Sequence, residues 1–209
     1  MKDLRQNYTL GSLLEENLPS SPFDLFQAWF EEAMSSDKIL EPNAMVLSTC
    51  ADNKVDSRIV LLKDLREKQF VFYSNYTSHK GTQLEKNPHC NLLFPWVELQ
   101  RQIIIRGEAA KVSESESIEY FASRPVSSQL GAWVSEQSKP VSSRMDLESR
   151  LEKLTTFYST NKLTKPENWG GYEVTPLQIE FWQGRENRLH DRIVYSYENN
   201  EWKISRLQP

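Results

Sequence analysis

The sequence is poor in the residues that mark several common kinds of site. It has only two cysteines, Cys50 and Cys90, in 209 residues, with no Cys-x-x-Cys pair and no cluster of cysteines with histidines. This argues against a structural zinc site and fits a reducing compartment. The three histidines, His79, His89 and His190, have no spacing typical of metal ligands. We therefore expect no metal site.

The motifs of several large enzyme groups are also missing. The seven glycines form neither a dinucleotide-binding pattern nor a P-loop, which argues against a Rossmann or NTPase fold. No Gly-x-Ser-x-Gly occurs and neither cysteine has an evident partner base, so no nucleophile stands out. The net charge of −4 gives no general attraction to nucleic acid. Any anion-binding site must therefore be local.

Long apolar runs are absent as well. No run approaches the roughly 18 to 20 residues that span a bilayer, and the first five residues lack the apolar segment of a signal peptide. We expect a soluble, cytoplasmic protein. Its length suits a single domain with a sizeable core, at residues 21–209, preceded by a polar arm at residues 1–20. Six tryptophans provide large flat surfaces for a core, a flat ligand or a subunit interface.

Hydrophobic spacing predicts a mainly β protein with flanking helices. Strands are predicted at 44–49, 58–63, 70–73, 91–94, 101–112, 171–174, 178–183, 193–197 and 202–207. Short polar turns separate most of them, as in an antiparallel barrel or sandwich. Helices are predicted from Ser21 to Met34, from after Ser78 to before Pro88, from the capping box at Ser113 to Pro125, and at 145–158, with a further turn at 128–133.

Arg58 and Lys63 enclose four apolar residues, a run that predicts a buried strand. Two interpretations of these cations are open: their charged ends reach water, or they hold an anion. Five positions apart, they point to opposite faces of a regular strand. One ligand meets both only if the strand bulges or ends there, or if the ligand wraps over it. Lys80 lies in the first turn of a predicted helix, where free backbone N–H groups favour an anion.

A second group of hydrogen-bond donors lies at 181–192, in a predicted strand, turn and loop. It forms either an anion-binding site or a solvated loop. Arg188 and His190 are two residues apart, so in an extended segment both project to one side while Leu189 turns to the core. His190 then covers a ligand together with Arg188, or it only braces the loop.

In order along the chain, these segments resemble the pyridoxamine 5′-phosphate oxidase family, the FMN enzymes of vitamin B6 metabolism. The resemblance extends from about Arg5 to the last residue. It is carried by Arg58-Ile59-Val60-Leu61-Leu62-Lys63, Phe72-Tyr73-Ser74, Phe121 to Pro125, Gly131-Ala132-Trp133, Gln137-Ser138, Trp169-Gly170-Gly171, Ile179 to Gly184, Arg188-Leu189-His190-Asp191-Arg192 and Trp202 to Pro209. The ordered combination is specific, although each piece alone is weak.

The resemblance implies an antiparallel split β-barrel with flanking helices. It implies a homodimer that binds FMN in clefts at the subunit interface. The expected reaction converts pyridoxine 5′-phosphate or pyridoxamine 5′-phosphate to pyridoxal 5′-phosphate, with O2 as electron acceptor and H2O2 as product. The alternative is a binding module that carries FMN or pyridoxal phosphate without turnover, and the segment 188–192 argues against it.

The resemblance also assigns roles to individual residues, drawn from both chains of the dimer. The expected flavin-binding residues are Arg58, Ile59, Val60, Leu61, Leu62, Lys63, Tyr73, Ser74, His79, Lys80, Gln102, Gln137, Ser138, Trp182 and Arg192. The expected substrate-binding residues are Arg5, Tyr8, Lys63, Tyr120, Arg124, Ser128, Arg188, Leu189 and His190, of which Arg188 and His190 are the expected catalytic pair.

Two details of these assignments depend on local chemistry. Arg124 and Ser128 are expected to lie one helical turn apart and to point at a common phosphate. Position 79 departs from the family, which usually has arginine there. Because a neutral imidazole lacks the guanidinium fork, we expect somewhat weaker binding of the flavin phosphate at His79.

Overall fold

The computed structural model describes Leu4 and residues 6–209. The helices are α1 (Pro22–Ser35), α2 (His79–Lys86), α3 (Glu114–Ser123), α4 (Val126–Val134) and α5 (Arg144–Tyr158). The strands are β1 (Ala44–Ala51), β2 (Lys54–Leu61), β3 (Asp64–Arg66), β4 (Gln69–Asn75), β5 (His89–Trp96), β6 (Arg101–Lys111), β7 (Trp169–Gln183), β8 (Asp191–Glu198) and β9 (Glu201–Arg206). In the part of the chain described, no helix is long and apolar enough to cross a membrane.

The strands form one antiparallel sheet in the order β2-β1-β5-β6-β7-β4-β3, with β8 on β7 and β9 on β8. β7 organises this sheet because β6 pairs along one of its edges, while β4 and then β8 share the other. Turns at residues with positive φ close the hairpins, as at Asn199 and Asn200 between β8 and β9. The predicted mainly β architecture with flanking helices is confirmed.

β7 replaces the two strands predicted at 171–174 and 178–183. Pro176 lacks the N–H that a paired strand donates, so its presence predicted a break. The strand continues because its pairing with β6 shifts register here: Arg106 pairs with Gln178 and Gly107 with Pro176, so Leu177 is left out of the ladder. Gly107 is needed there, since a Cβ at this position would lie 2.3 Å from the carbonyl oxygen of Thr175.

Helix α1 closes one side of the sheet and supplies much of the core. It begins as predicted, with the Phe23 N–H donating to the side chain of Ser21, 3.3 Å away. Phe26 is fully buried and meets the rings of Phe70 and Phe94 edge-on, with centroids 5.0 and 5.3 Å away. Burial of one such ring stabilises the fold by about 1.5 to 3 kcal/mol. Met34, at the end of the same stripe, is half exposed.

The prediction of a buried strand at 58–63 is wrong. β2 begins at Lys54 and ends at Leu61, and within the described chain it pairs only with β1. Ile59 is 70% exposed, and only Leu62, just beyond the strand, is buried in the core. A continuous apolar run shows that both faces of a strand are apolar, but it does not show what covers them.

Candidate functional site

A cavity of about 630 Å³ gathers most of the predicted flavin and phosphate ligands. Its walls come from the end of β2, from β4, α2, α3 and α4, and from the segment after α4. Of the predicted residues, Ile59, Val60, Leu61, Lys63, Tyr73, Ser74, Lys80, Tyr120, Arg124, Ser128 and Gln137 line this first cavity. Its volume lies in the range of about 300 to 1,000 Å³ that is usual for small-molecule sites.

Lys80 is a buried cation at one end of the first cavity. It lies in the first turn of α2, which begins where the Ser78 side chain accepts a hydrogen bond from the Gly81 N–H. Its ammonium donates to Gln137 Oε1 at 2.9 Å and to Ser78 Oγ at 3.4 Å, both neutral oxygens. Burial, and secondarily the charge of Arg58, lowers the pKa of Lys80 to about 8. A buried ammonium next to a helix N-terminus suits a phosphate.

Among the described residues, the side chain of Arg58 donates hydrogen bonds to neutral oxygens and forms no salt bridge. Its Nη1 donates to Thr49 Oγ1 at 2.6 Å and to the Leu47 carbonyl at 3.3 Å. Burial lowers the pKa of Arg58, although nearby Asp56 opposes this effect. Arg58 does not line the first cavity, but its positive charge acts on the neighbouring Lys80.

Arg124 supplies a second anion-binding group in the same cavity. Its guanidinium lies over the ring of Trp169, 4.7 Å from the centroid, and burial lowers its pKa. Within the described chain, its buried Nη1 has no hydrogen-bond partner. An unpaired buried N–H is costly unless a ligand accepts from it, so this atom fits an anion.

Arg124 and Ser128 do not lie on one helix, so that prediction is wrong. Arg124 ends α3 with extended backbone, and Ser128 lies in the first turn of α4, which follows Pro125. The ring of Pro125 disfavours helical backbone at the preceding residue, which is why the helix stops there. Both residues still line the first cavity, together with Lys63 and Tyr120.

Three aromatic rings fix this wall of the first cavity. Tyr73 stacks on Tyr120 with centroids 3.7 Å apart, and the ring of Trp169 lies 5.5 Å from that of Tyr73, tilted by only 14°. The stack restrains Tyr120 and provides the surface under Arg124. Sequence reasoning did not assign Trp169 to the site. Its position before Gly170 and Gly171, where strand β7 begins, was the available signal.

A second cavity of about 530 Å³ contains Tyr8, Trp182, Arg188 and His190. The rings of Trp182 and His190 lie 4.7 Å apart. His190 Nδ1 accepts a hydrogen bond from the Arg185 backbone N–H at 3.0 Å, so Nε2 carries the proton of the neutral ring. Burial, and then the charge of Arg188, lowers the pKa of His190. His190 therefore braces the loop through one nitrogen and retains a donor on the other.

The expectation of an extended segment around Arg188 is wrong. Residues Glu186–Arg188 form a short 3-10 turn, with φ of 56° at Asn187 and 61° at Arg188. Leu189 is 69% exposed rather than turned to the core, and it lines a neighbouring cavity with Tyr8. The two-residue spacing of Arg188 and His190 could not predict this conformation, because side chains two residues apart share a face only in extended backbone.

The remaining predicted residues that the structure describes, including Arg58, line neither of these two cavities. Gln102 is paired in register with Trp182, which is paired with Arg192, so these side chains form one row across β6, β7 and β8. Arg192 Nε donates to the buried Glu180 at 2.8 Å. The His79 N–H donates to Ser138 Oγ at 3.2 Å, and the exposed imidazole lies 3.6 Å from Asp56. Leu62 is a core residue, and Arg5 lies outside the described residues.

Comparison with known protein families shows to which family the chain belongs. Residues 31–158 match the family model for pyridoxamine 5′-phosphate oxidase. The chain belongs to this family. Residues 169–209 match the family model for the pyridoxine 5′-phosphate oxidase C-terminal dimerisation region, so the two matches together cover most of the chain. The resemblance found in the sequence is confirmed.

Full-length relatives in this oxidase family support the assignment. A pyridoxine/pyridoxamine 5′-phosphate oxidase of Trichormus variabilis is 49% identical over 99% of this chain and 97% of its own length. The corresponding oxidase of Gloeothece citriformis is 50% identical with the same coverage. The crystal structure of PhzG from Burkholderia lata, in complex with tetrahydrophenazine-1-carboxylic acid, is similar with a TM-score of 0.88 and 28% identity, covering 96% of this chain and 99% of that one.

Proposed function

We propose that the chain is an FMN-dependent oxidase that converts pyridoxine 5′-phosphate or pyridoxamine 5′-phosphate to pyridoxal 5′-phosphate, using O2 and releasing H2O2. The observation that carries the proposal is the full-length similarity to relatives named for both vitamers. The first cavity agrees with it because three cations line it: Lys63, Lys80 in α2 and Arg124 at the end of α3. Lys80 suits the phosphate of a cofactor, and Arg124 suits the phosphate of a substrate.

The residues at the α2 end of the first cavity fit FMN. Lys80 lines this end and Arg58 adds charge from outside the cavity lining. Ser74 and Gln137 provide hydrogen-bonding groups 3.4 Å apart, and α2 presents its N-terminus. Trp182, Arg192 and Gln102 provide a further surface for the cofactor. When bound, FMN would accept a hydride from the substrate C4′ carbon and pass the electrons to O2. The protein supplies binding and orientation.

The residues at the α3 and α4 end fit the substrate phosphate. Arg124 offers a buried N–H that no other described residue accepts, and Lys63, Tyr120 and Ser128 line the same cavity. The structure of PhzG, the 28% identical relative, holds a carboxylic acid without a phosphate. Three cations lining one cavity of an acidic chain favour the phosphorylated substrate here.

Arg188 and His190 line a different cavity from Arg124 within one chain, which supports a shared site. We propose that a homodimer brings Arg188 and His190 of one subunit to the first cavity of the other, with FMN between the subunits. The match of residues 169–209 to a dimerisation region supports this arrangement, as does the exposed apolar surface of β2 around Ile59. We also propose that the sheet forms a split β-barrel.

Peroxide formation tests the proposed function. Protein reconstituted with FMN should produce H2O2 and pyridoxal 5′-phosphate from pyridoxine 5′-phosphate or pyridoxamine 5′-phosphate. Unphosphorylated pyridoxine is the matched control and should be turned over far less efficiently, because it cannot use the cations around Arg124. Tight binding of FMN without peroxide from either vitamer would show a carrier instead of an oxidase.

The depressed pKa of Lys80 predicts that FMN affinity falls as pH rises through about 8. A bound phosphate favours the ammonium and raises its pKa, so binding above pH 8 takes up a proton. Below that pH the ammonium is already formed and the affinity should be level, apart from changes in phosphate ionisation near pH 6. Fluorescence titration of the apo-protein between pH 7 and 9 measures this dependence.

Lys80→Met is the control for that titration. It should bind FMN more weakly at pH 7 and show no step near pH 8, because the titrating group is gone. A level affinity in the wild-type protein across this range would mean that Lys80 does not bind the phosphate.

A further inference from the structure

From residue 6 onward, the N-terminal arm packs on the sheet although it contains little regular structure. Between residue 6 and α1 it forms only a short 3-10 turn at Glu15–Asn17, within the residues described. Leu13 is nevertheless buried, and its peptide groups are bonded on both sides. The Leu13 N–H donates to Asp191 Oδ2 at 3.0 Å, and the Leu13 carbonyl accepts from Arg206 Nη2 at 2.7 Å. The arm is thus fastened to β8 and β9 at this residue.

Arg206 is the centre of this attachment. Its guanidinium donates to both oxygens of Glu15, at 2.6 and 2.9 Å, and to Asp191 Oδ1 at 2.7 Å. The fork of Arg206 lowers the pKa of Glu15 to about 2, and the two carboxylates raise the pKa of Arg206. Glu15 and Arg206 are therefore both charged at neutral pH. We call Arg206, Glu15 and Asp191 the clasp.

Asp191 connects the clasp to the loop that contains the expected catalytic pair. It directly follows His190, and its Oδ2 also accepts from Arg185 Nη1 at 3.1 Å. The backbone N–H of Arg185 in turn donates to His190. A single carboxylate thus anchors both the arm, through Leu13, and the loop, through Arg185.

Upstream of the clasp, the arm places Tyr8 against the second cavity. Gln100 Oε1 accepts from the N–H groups of Thr9 and Leu10, at 2.8 and 3.1 Å. The Tyr8 ring lies 5.8 Å from Trp182 and 5.7 Å from His190. It occupies the space over Gly184, where a Cβ would come within 2.7 Å of the ring. Tyr8 is therefore one wall of the cavity that contains Arg188 and His190.

We propose that Arg206, with Glu15 and Asp191, is a positioning device that holds the N-terminal arm so that Tyr8 covers the loop of Arg188 and His190. Arg206 acts through the arm and does not contact the substrate. An isolated exposed ion pair contributes little, but this arginine also bonds a backbone carbonyl and a buried carboxylate. Its loss therefore frees several groups of the arm together.

Hydrogen exchange of the FMN-loaded protein tests the attachment directly. In Arg206→Gln, the amides of Thr9, Leu10 and Leu13 should exchange at least about tenfold faster, because the arm loses its anchor while the sheet remains. Glu15→Gln removes one carboxylate of the clasp and should give a smaller increase of about three- to fivefold. The matched control is Glu16→Gln, the same change at the neighbouring exposed position, and it should leave exchange unchanged.

Kinetics test whether the attachment positions the site, and this part depends on the proposed function. Arg206→Gln should raise KM for pyridoxine 5′-phosphate by about five- to tenfold, with kcat within about twofold and full FMN content. Unchanged exchange of the arm in Arg206→Gln would overturn the clasp. Faster exchange with unchanged KM would overturn its positioning role. A wild-type protein without oxidase activity would refute the proposed function, while the exchange experiment would still test the clasp.

Discussion

Arg124→Ala should raise KM for pyridoxine 5′-phosphate by about 10- to 100-fold while FMN stays bound. A charge-assisted hydrogen bond is worth about 1.5 to 3 kcal/mol, and each 1.4 kcal/mol corresponds to a factor of ten. Among the residues that the structure describes, none pairs with the buried Nη1 of Arg124, so the substrate phosphate would gain this bond without competing with another acceptor. Steady-state kinetics with matched flavin content measures the effect.

Two further variants separate charge from geometry at this position. Arg124→Lys keeps the charge but loses the planar group over Trp169, so it should give an intermediate KM. Arg144→Ala changes an exposed arginine whose partner is Glu148 on the same helix, and it should leave KM unchanged. If Arg124→Ala loses FMN instead, the two anion sites were assigned the wrong way round.

Arg188→Ala should lower kcat/KM by about tenfold or more, roughly 1.4 kcal/mol of transition-state stabilisation, with FMN content intact. The physical reason is orientation, because a side chain that fixes C4′ near the cofactor contributes more as the reacting atoms approach. His190→Ala should act in the same direction but less strongly. Its Nδ1 is already used by Arg185, and hydride transfer needs no protein base.

The unusual backbone of this loop requires a control for Arg188→Ala. Arg188 has φ of 61°, so the substitution also changes local strain. Arg188→Lys keeps a long cationic side chain at the same backbone position, and should retain more activity than alanine. Thermal unfolding of each variant shows whether the loop is disturbed. Wild-type kinetics of both Arg188→Ala and His190→Ala with both vitamers would mean that the segment is structural.

Local chemistry made the secondary structure predictable where one interaction decides it. The Ser21 cap of α1 and the capping box at Ser113 follow from side-chain oxygens that meet free N–H groups at a helix start. The hairpin at Asn199 follows from the tolerance of asparagine for positive φ. The prediction failed at Pro176, because continuation of β7 depends on a register shift in its pairing with β6, a strand distant in sequence.

The candidate site was predictable as a set of residues but not as an arrangement. The position of Lys80 in the first turn of a helix followed from the Ser78 cap. Its hydrogen bond to Gln137, and its pKa, which is lowered by burial and then by the charge of Arg58, depend on residues distant in sequence. The clasp at Arg206 could not be predicted from the sequence for the same reason, since Glu15 lies 191 residues away. The functional roles came from the family resemblance, because isolated cations are ambiguous on physical grounds.

Anaerobic mixing of the FMN-loaded protein with pyridoxine 5′-phosphate tests the central claim most directly. The visible absorbance of oxidised FMN should disappear in the absence of O2, with about one pyridoxal 5′-phosphate formed per flavin. Admission of O2 should restore the absorbance and release an equal amount of H2O2. Absorbance that stays unchanged with both phosphorylated vitamers, in protein that has bound FMN, would contradict the proposed oxidase.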